Sequence, residues 1–330
     1  MSSDRLDLAV QAGALGDPLP PRIAVFRPRA GRDLSVLGTD RVHVVQGFRP
    51  DHDAFAGLGY AVSPSAEGPC DAAVVCVPRA KDEARALVAQ AVALTGGGPV
   101  LVDGQKDDGI ASLLKDCGKR VPIDGTLSKA HGKAFWFRGG DFDDWRPGAP
   151  DVLPGGFRTV PGVFSADAPD PGSVLLAEAL PASLPRNVVD LGAGWGYLAR
   201  AILDRRGVEK LHLVEAEHAA LDCARANIDD PRAVFHWADA TAFGPDRAYD
   251  AVVMNPPFHV GRATDVGTGQ AFIATAARIL KPSGRLWMVA NRHLPYERHL
   301  RTLFAEVRDV GGDSRYKVFE AARPAKGGCA

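Results

Sequence analysis

The chain has 330 residues, 46% hydrophobic and 24% charged, the balance of an ordinary globular protein, and that length favours two domains over one. Net charge is −1, with 18 Lys and Arg against 19 Asp and Glu before residue 151 and 21 against 21 from Asp151 onward. Neither half therefore carries the basic footprint of a general nucleic-acid binder. No run of 18 apolar residues and no N-terminal apolar h-region occurs, which argues against a membrane span and a secretory signal. Five scattered cysteines without a C-x-x-C pair read as reduced thiols, neither a disulfide frame nor a zinc site, and the expected location is the cytoplasm.

In chain order, Ile23–Phe26, Val42–Val45, Ala72–Val77 and Val100–Val102 are short β-branched runs, with helical spacing over Asp82–Leu94 between the last two. This is α/β patterning with buried parallel strands. No clustered glycine turn follows any of these strands, and Val102–Gly109 reads as scaffold. Gly139–Phe157, rich in Gly, Pro and Asp, is the expected linker, dividing the chain into domains 1–150 and 151–330. Asp170-Pro171 then reads as an N-cap and N1 proline opening a helix to about Leu180. Strand Asn187–Leu191, helix Tyr197–Arg205, strand Lys210–Glu215 and helix Ala219–Asn227 follow. Next come strands Ala233–Trp237 and Ala248–Met254, helix Gly269–Leu280 and strand Gly284–Ala290. Single-helix crossovers imply a doubly wound sheet. Ala305–Val310 and Tyr316–Ala321, separated by Gly-Gly-Asp-Ser, predict an antiparallel hairpin at its end.

Val188 to Gly196 reads V-V-D-L-G-A-G-W-G, a strand running into a glycine turn and a helix. The spacing is G-x-G-x-G from Gly192, and Tyr197 stands where a dinucleotide fingerprint needs its third glycine. Asp190, two residues before Gly192, suits a ligand that bears an ammonium and lacks a pyrophosphate. S-adenosyl-L-methionine is such a ligand, and a carboxylate there would repel NAD. Glu215 and Ala216 end the next strand, where a carboxylate can accept from ribose hydroxyls. Asp239 and Ala240 end the third, where Asp239 can accept from an adenine amino group. Glu215 and Asp239 could instead be helix caps or solvated loop charges.

Asp250 to His259 reads D-A-V-V-M-N-P-P-F-H. Pro256 and Pro257 fix φ and remove two backbone donors, leaving carbonyl acceptors beside the Asn255 side-chain oxygen. Such acceptors orient an NH2 group and favour its pyramidalisation, and Phe258 offers a face on which a planar base or amide can stack. His259 reads as a loop histidine or a substrate contact. His212, His218 and His236 lack ligand spacing, so no metal site is expected. Gly-x-Ser-x-Gly is absent, which removes the hydrolase reading.

These residues resemble the class I methyltransferases of the small-domain group, and more narrowly the bacterial ribosomal RNA guanine-N2 methyltransferases. The likeness lies in Asp190–Gly196 and Asn255–Phe258. It extends to Pro161–Ser165, Asp170–Ser173 with Leu175-Leu176, Val289–Tyr296 and Tyr316–Val318, and more loosely to Val102–Gly109 and Gly132–Phe137. It implies two Rossmann-like methyltransferase-type domains, the C-terminal one seven-stranded and catalytic, the N-terminal one degenerate and without a cofactor site. It also implies that Phe164 and Ser165 lie over S-adenosyl-L-methionine, that the Asn255–Phe258 segment binds the target amino group, and that ribosomal RNA or a ribosomal subunit is the partner. Arg292, Arg298 and Arg301 are candidate phosphate contacts or simply a solvated face. Adenine N6, a protein glutamine amide and an RNA-binding assembly role with vestigial transfer remain the alternatives.

Overall fold

The computed structural model describes residues 4–257, 259–260, 263–264 and 266–325, those at 259, 260, 263 and 264 by backbone alone. Phe258 lies outside the described residues, as does the side chain of His259. The chain divides into two compact units, Met1–Ala149 and Pro150–Ala330, with the boundary inside Gly139–Phe157.

The first unit runs α1 (Arg5–Gln11), β1 (Ile23–Phe26), β2 (Val42–Val45), α2 (Arg49–Gly57), β3 (Ala61–Ser63) and β4 (Ala72–Cys76). It continues with α3 (Lys81–Thr95), β5 (Pro99–Gln105), α4 (Ile110–Cys117), β6 (Gly125–Lys129) and β7 (Gly132–Arg138). Its sheet has the order β3-β2-β1-β4-β5-β7-β6. Strands β1, β2 and β4, the core of β5 and helix α3 lie where the apolar runs and the helical spacing place them. The short edge strand β3 and the half-exposed β6 carry too few apolar residues to show a period.

The second unit opens on a ribbon of β8 (Asp151–Val152) and β9 (Arg158–Thr159), then α5 (Pro171–Ala179), β10 (Asn187–Leu191), α6 (Tyr197–Leu203) and β11 (Lys210–Glu215). Next are α7 (His218–Asn227), β12 (Ala233–Trp237), β13 (Tyr249–Met254), β14 (His259–Val260) and β15 (Ala263–Thr264). The unit ends with α8 (Val266–Ile279), β16 (Leu280–Asn291), α9 (Tyr296–Leu303), β17 (Phe304–Gly312) and β18 (Tyr316–Pro324). Its main sheet has the order β12-β11-β10-β13-β16-β18-β17. Strands β12, β11, β10, β13 and β16 pair in parallel and β18 is antiparallel to both β16 and β17, as the hairpin reading expects. The chain leaves β10 toward β11 and returns on the other side at β13. That reversal opens a crevice at the carboxyl ends of β10 and β13.

Strand β13 holds the crevice in place by being buried on both faces. Ala251 and Val253 join a cluster with Leu198, Ile202 and Trp287, while Val252 and Met254 join another with Phe272, Ile273 and Leu300. Burying one such valine contributes about 1.5–3 kcal/mol, so a charge at Val252 would break this packing. Asn255, the next residue, thereby leaves the sheet from a fixed point.

Around α8, two boundaries differ from those the sequence predicts. Helix α8 begins at Val266, before Gly269, because that glycine is an interior position whose missing Cβ makes room for the Tyr296 ring. Extended structure resumes at Leu280, which pairs with Tyr249. A bulge follows, and regular pairing restarts at Ala251 with Arg285.

Candidate active site

The glycine turn is built by the strand beside it. The amides of Gly192 and Ala193 both donate to the Val214 carbonyl at 2.9 Å. Gly194 N–H donates to Glu215 Oε2 at 2.8 Å, and Glu217 N–H donates to Glu215 Oε1 at 2.8 Å. Glu215 therefore fastens the turn and the residue that precedes α7, while lone pairs remain for a ligand. Burial pushes its carboxyl above the usual range, while the two amides pull it back. Gly194 has φ +54, and a Cβ there would meet nothing within 4 Å. The backbone of the turn is thus open to an approaching molecule.

Asp190 lies beneath this turn with 0% exposure. Neither carboxylate oxygen has a hydrogen-bond partner among the described residues. Burial first, and the Glu215 charge second, push its carboxyl up to about 8, while the Ala199 amide pulls it back. An orphaned buried carboxyl of this sort suits a cationic or water partner.

Across the crevice, the Asn255 amide nitrogen donates to Asp170 Oδ2 at 2.8 Å and to Ser173 Oγ at 2.9 Å. Asp170 Oδ2 also accepts from Ser173 N–H at 2.9 Å as the N-cap of α5. Both hydrogens of the Asn255 amide are thereby occupied, and its Oδ1 is left as an acceptor. Asp170 thus adds to the N-cap role that its sequence context predicts a second one that the sequence does not signal. The cap motif was legible, but nothing local links it to a residue 85 positions away.

Phe164 and Ser165 complete the wall. Phe164 is 60% exposed, and its carbonyl accepts from Trp195 Nε1 at 2.9 Å. Trp195 is itself held edge-on by Phe157 and Tyr197. One cleft is lined by Phe164, Ser165, the Gly192–Gly194 backbone, Trp195 and Asn255, together with Asp170 and Ser173.

Other candidate residues stand apart from that lining. Gly196 caps α6 at φ +93. The Ala216 carbonyl accepts from Trp237 Nε1 at 2.8 Å. Asp239 Oδ1 accepts from the amide and hydroxyl of Thr241 at 2.8 and 2.7 Å, an Asx turn, and Ala240 is buried. Pro256 is buried and Pro257 exposed. Arg292 donates through Nε to the Asp313 carbonyl at 2.5 Å, away from the cleft. His212 and His236 pair at 2.9 Å, and burial lowers the His212 pKa to about 4. No cluster of metal-ligating side chains occurs among the described residues. No helix among them is long and apolar enough to cross a membrane.

Comparison with known proteins agrees with this architecture. The chain is 28% identical to the ribosomal RNA small subunit methyltransferase C of Hahella chejuensis, over 94% of this chain and 93% of that one. It is 39% identical to the ribosomal RNA large subunit methyltransferase G of Streptomyces coelicolor, over 49% of this chain and 44% of that one. Among solved structures, the T. thermophilus 16S rRNA N2 G1207 methyltransferase, in complex with AdoMet and guanosine, superposes with a TM-score of 0.79 at 25% identity. That match covers 98% of this chain and 92% of the other. The family model for the methyltransferase small domain matches residues 155–320, which carry the whole cleft, and the chain belongs to that family.

Proposed function

We propose that the chain transfers a methyl group from S-adenosylmethionine to the exocyclic N2 amino group of a guanine in ribosomal RNA, acting in the cytoplasm. The observation that carries this reading is the state of Asn255. With both amide hydrogens held by Asp170 and Ser173, the side chain faces a substrate only as an acceptor. An acceptor at that point selects an NH2 donor and turns it, which is what methylation at nitrogen requires.

The residues present fit the cofactor. The orphaned Asp190 carboxylate supplies the missing counter-charge for an ammonium, and the open backbone at Gly194 admits a bulky ligand. Glu215 retains lone pairs for hydroxyl groups, and Phe164 and Ser165 wall the cleft. When bound, S-adenosylmethionine supplies an already activated methyl group. The chain therefore has no need of a strong base, and its task is positioning. Asn255 Oδ1 and the carbonyls of the Asn255-Pro256-Pro257 segment hold the target amino group, and Phe258 stacks on the base. His259 contacts the RNA around it, and Arg292, outside the cleft lining, meets the RNA farther from the target base.

In this reading residues 151–330 form the catalytic domain and residues 1–150 a degenerate copy without a cofactor site. Support for ribosomal RNA comes from the names of the relatives above, and support for guanine from the T. thermophilus N2 G1207 methyltransferase solved with guanosine. The test is transfer of labelled methyl from S-adenosylmethionine to ribosomal subunits by the purified chain, followed by nuclease digestion. N2-methylguanosine is the expected product. Label confined to N6-methyladenosine would overturn guanine and keep the enzyme class, and label in protein would redirect the search to a glutamine amide.

A further inference from the structure

The sheet of the first unit repeats the strand order of the second, and its counterpart of the cofactor crevice has been rebuilt with arginine. Phe26 pairs with Val45 on β2 as Leu191 pairs with Val214 on β11. Arg27 N–H donates to the Val45 carbonyl at 2.9 Å, as Gly192 N–H donates to Val214. Gln46 takes the place of Glu215. Its Oε1 accepts from Phe48 N–H at 2.9 Å, as Glu215 Oε1 does from Glu217, and its Nε2 donates to the Pro28 carbonyl at 2.8 Å to fasten the turn. The turn Gly192-Ala193-Gly194-Trp195-Gly196-Tyr197 thus corresponds to Arg27-Pro28-Arg29-Ala30-Gly31-Arg32. The chemistry of the crevice is inverted: the carboxylate at Glu215 has become a neutral amide, and guanidinium groups replace bare backbone.

A cleft with about 490 Å³ of space, part of it open to solvent, lies at this turn, lined by Arg5, Arg27, Arg29, Arg32, Asp103 and Asp108 among others. Four arginines meet four carboxylates here, but the pairing is uneven. Asp103 is shared by two arginines, Arg5 Nε at 2.6 Å and Arg32 Nη1 at 2.9 Å. Arg27 meets Glu83 at 3.1 Å, and Arg32 Nε meets Asp4 at 3.2 Å. Arg29 reaches Asp108 only at 3.8 Å and is 67% exposed. Arg32 Nη2 is buried without a hydrogen-bond acceptor among the described residues. A buried guanidinium N–H without an acceptor is costly, and a multidentate oxyanion is the ligand that satisfies it.

We propose that this cleft binds a phosphate group, held by Arg29 and Arg32. The same chemistry is offered by a free phosphate and by a phosphodiester of an RNA backbone, and the experiment separates the two. Full-length protein in phosphate-free buffer at constant ionic strength is titrated calorimetrically with inorganic phosphate. In a second arm it is titrated with a single-stranded RNA oligonucleotide bearing 5′- and 3′-hydroxyl ends. Arg29→Gln, at an exposed position, and Arg32→Gln are each expected to weaken binding about ten-fold in at least one arm, the loss of one charge-assisted contact. S-adenosylmethionine affinity, measured alongside, is expected to stay unchanged. Weakening for phosphate identifies a small-anion site, and weakening for RNA alone identifies a backbone contact. Binding in both arms that Arg29→Gln leaves unmoved, or no binding in either, overturns the proposal and leaves the arginines as a filling of the old crevice. The outcome is independent of methyl transfer, so it stands or falls apart from the proposed activity.

Discussion

The two units of this chain share one strand order and differ at four positions that decide what their crevices can hold. Where the second has Asp190, Gly194, Glu215 and Asn255, the first has Val25, Arg29, Gln46 and Cys76 at the matching register. One of the two hydrogen bonds survives the exchange of Glu215 for Gln46, Oε1 accepting from the N–H two residues on, while the bond to the turn reverses: Gly194 N–H donates to Glu215, whereas Gln46 Nε2 donates to the Pro28 carbonyl. What is lost is charge and open backbone. A doubly wound sheet delivers a crevice at its switch point whatever the residues are, and the residues then determine which ligand it accepts.

Four substitutions or measurements sharpen or break that contrast. The largest effect is expected at Asn255, whose counterpart Cys76 offers no amide. Asn255→Ala should lower methyl transfer by about 10²–10³-fold in single-turnover assays, the usual cost of one positioned polar group in an active site. Transfer that is retained would remove Asn255 from the site.

Next, Glu215→Gln converts the second crevice toward the first. One of the two backbone bonds should survive and the other be lost, because the amide has a single oxygen to accept from the Gly194 and Glu217 N–H groups, and S-adenosylmethionine affinity should fall about 10–100-fold by calorimetry through loss of charged hydrogen bonds. An unchanged affinity would confine Glu215 to holding Gly194 and α7.

A third contrast is Asp190 against Val25. Its carboxyl titrates near 8 in the fold against an ordinary value of 3.8. Between those values the unfolded chain holds fewer protons than the folded one. The stabilising contribution is therefore complete below about pH 4 and is lost as pH rises through 8. In urea titrations without ligand, the unfolding midpoint should fall between pH 5 and pH 8.5, and Asp190→Asn should flatten that slope. Equal slopes for the two proteins would mean that Asp190 is not orphaned in solution.

The smallest effect is expected at Gly194→Ala. The position has φ +54 with open space above it, so only backbone strain is added, about 1 kcal/mol in thermal unfolding. A larger loss would point to a close contact that the open geometry does not contain.

Much of the second unit is legible in the primary sequence because its signals are local. Strand β10 and its glycine turn are contiguous, as are β13 and the Asn-Pro-Pro segment, and apolar runs buried on both faces need no partner to be recognised. The closing hairpin is legible for the same reason. Elements escape where the signal is tertiary. Gly269 reads as a helix boundary and is a packing position under Tyr296, and β3 and β6 are strands through their neighbours more than through their own residues.

Local order along the chain is thus enough to specify an α/β protein with a methyltransferase-type glycine turn, an acceptor-rich Asn-Pro-Pro exit and a terminal antiparallel hairpin. Only the folded arrangement joins Asp170 to Asn255 across 85 residues and assigns Oδ1 as the acceptor. It alone buries Asp190 without a partner, and it alone sets an arginine turn where the other unit has glycines. The physical reason is the same in each case. Hydrogen-bond satisfaction and burial are properties of groups brought together from distant segments, whereas turn geometry and apolar periodicity are written in consecutive residues.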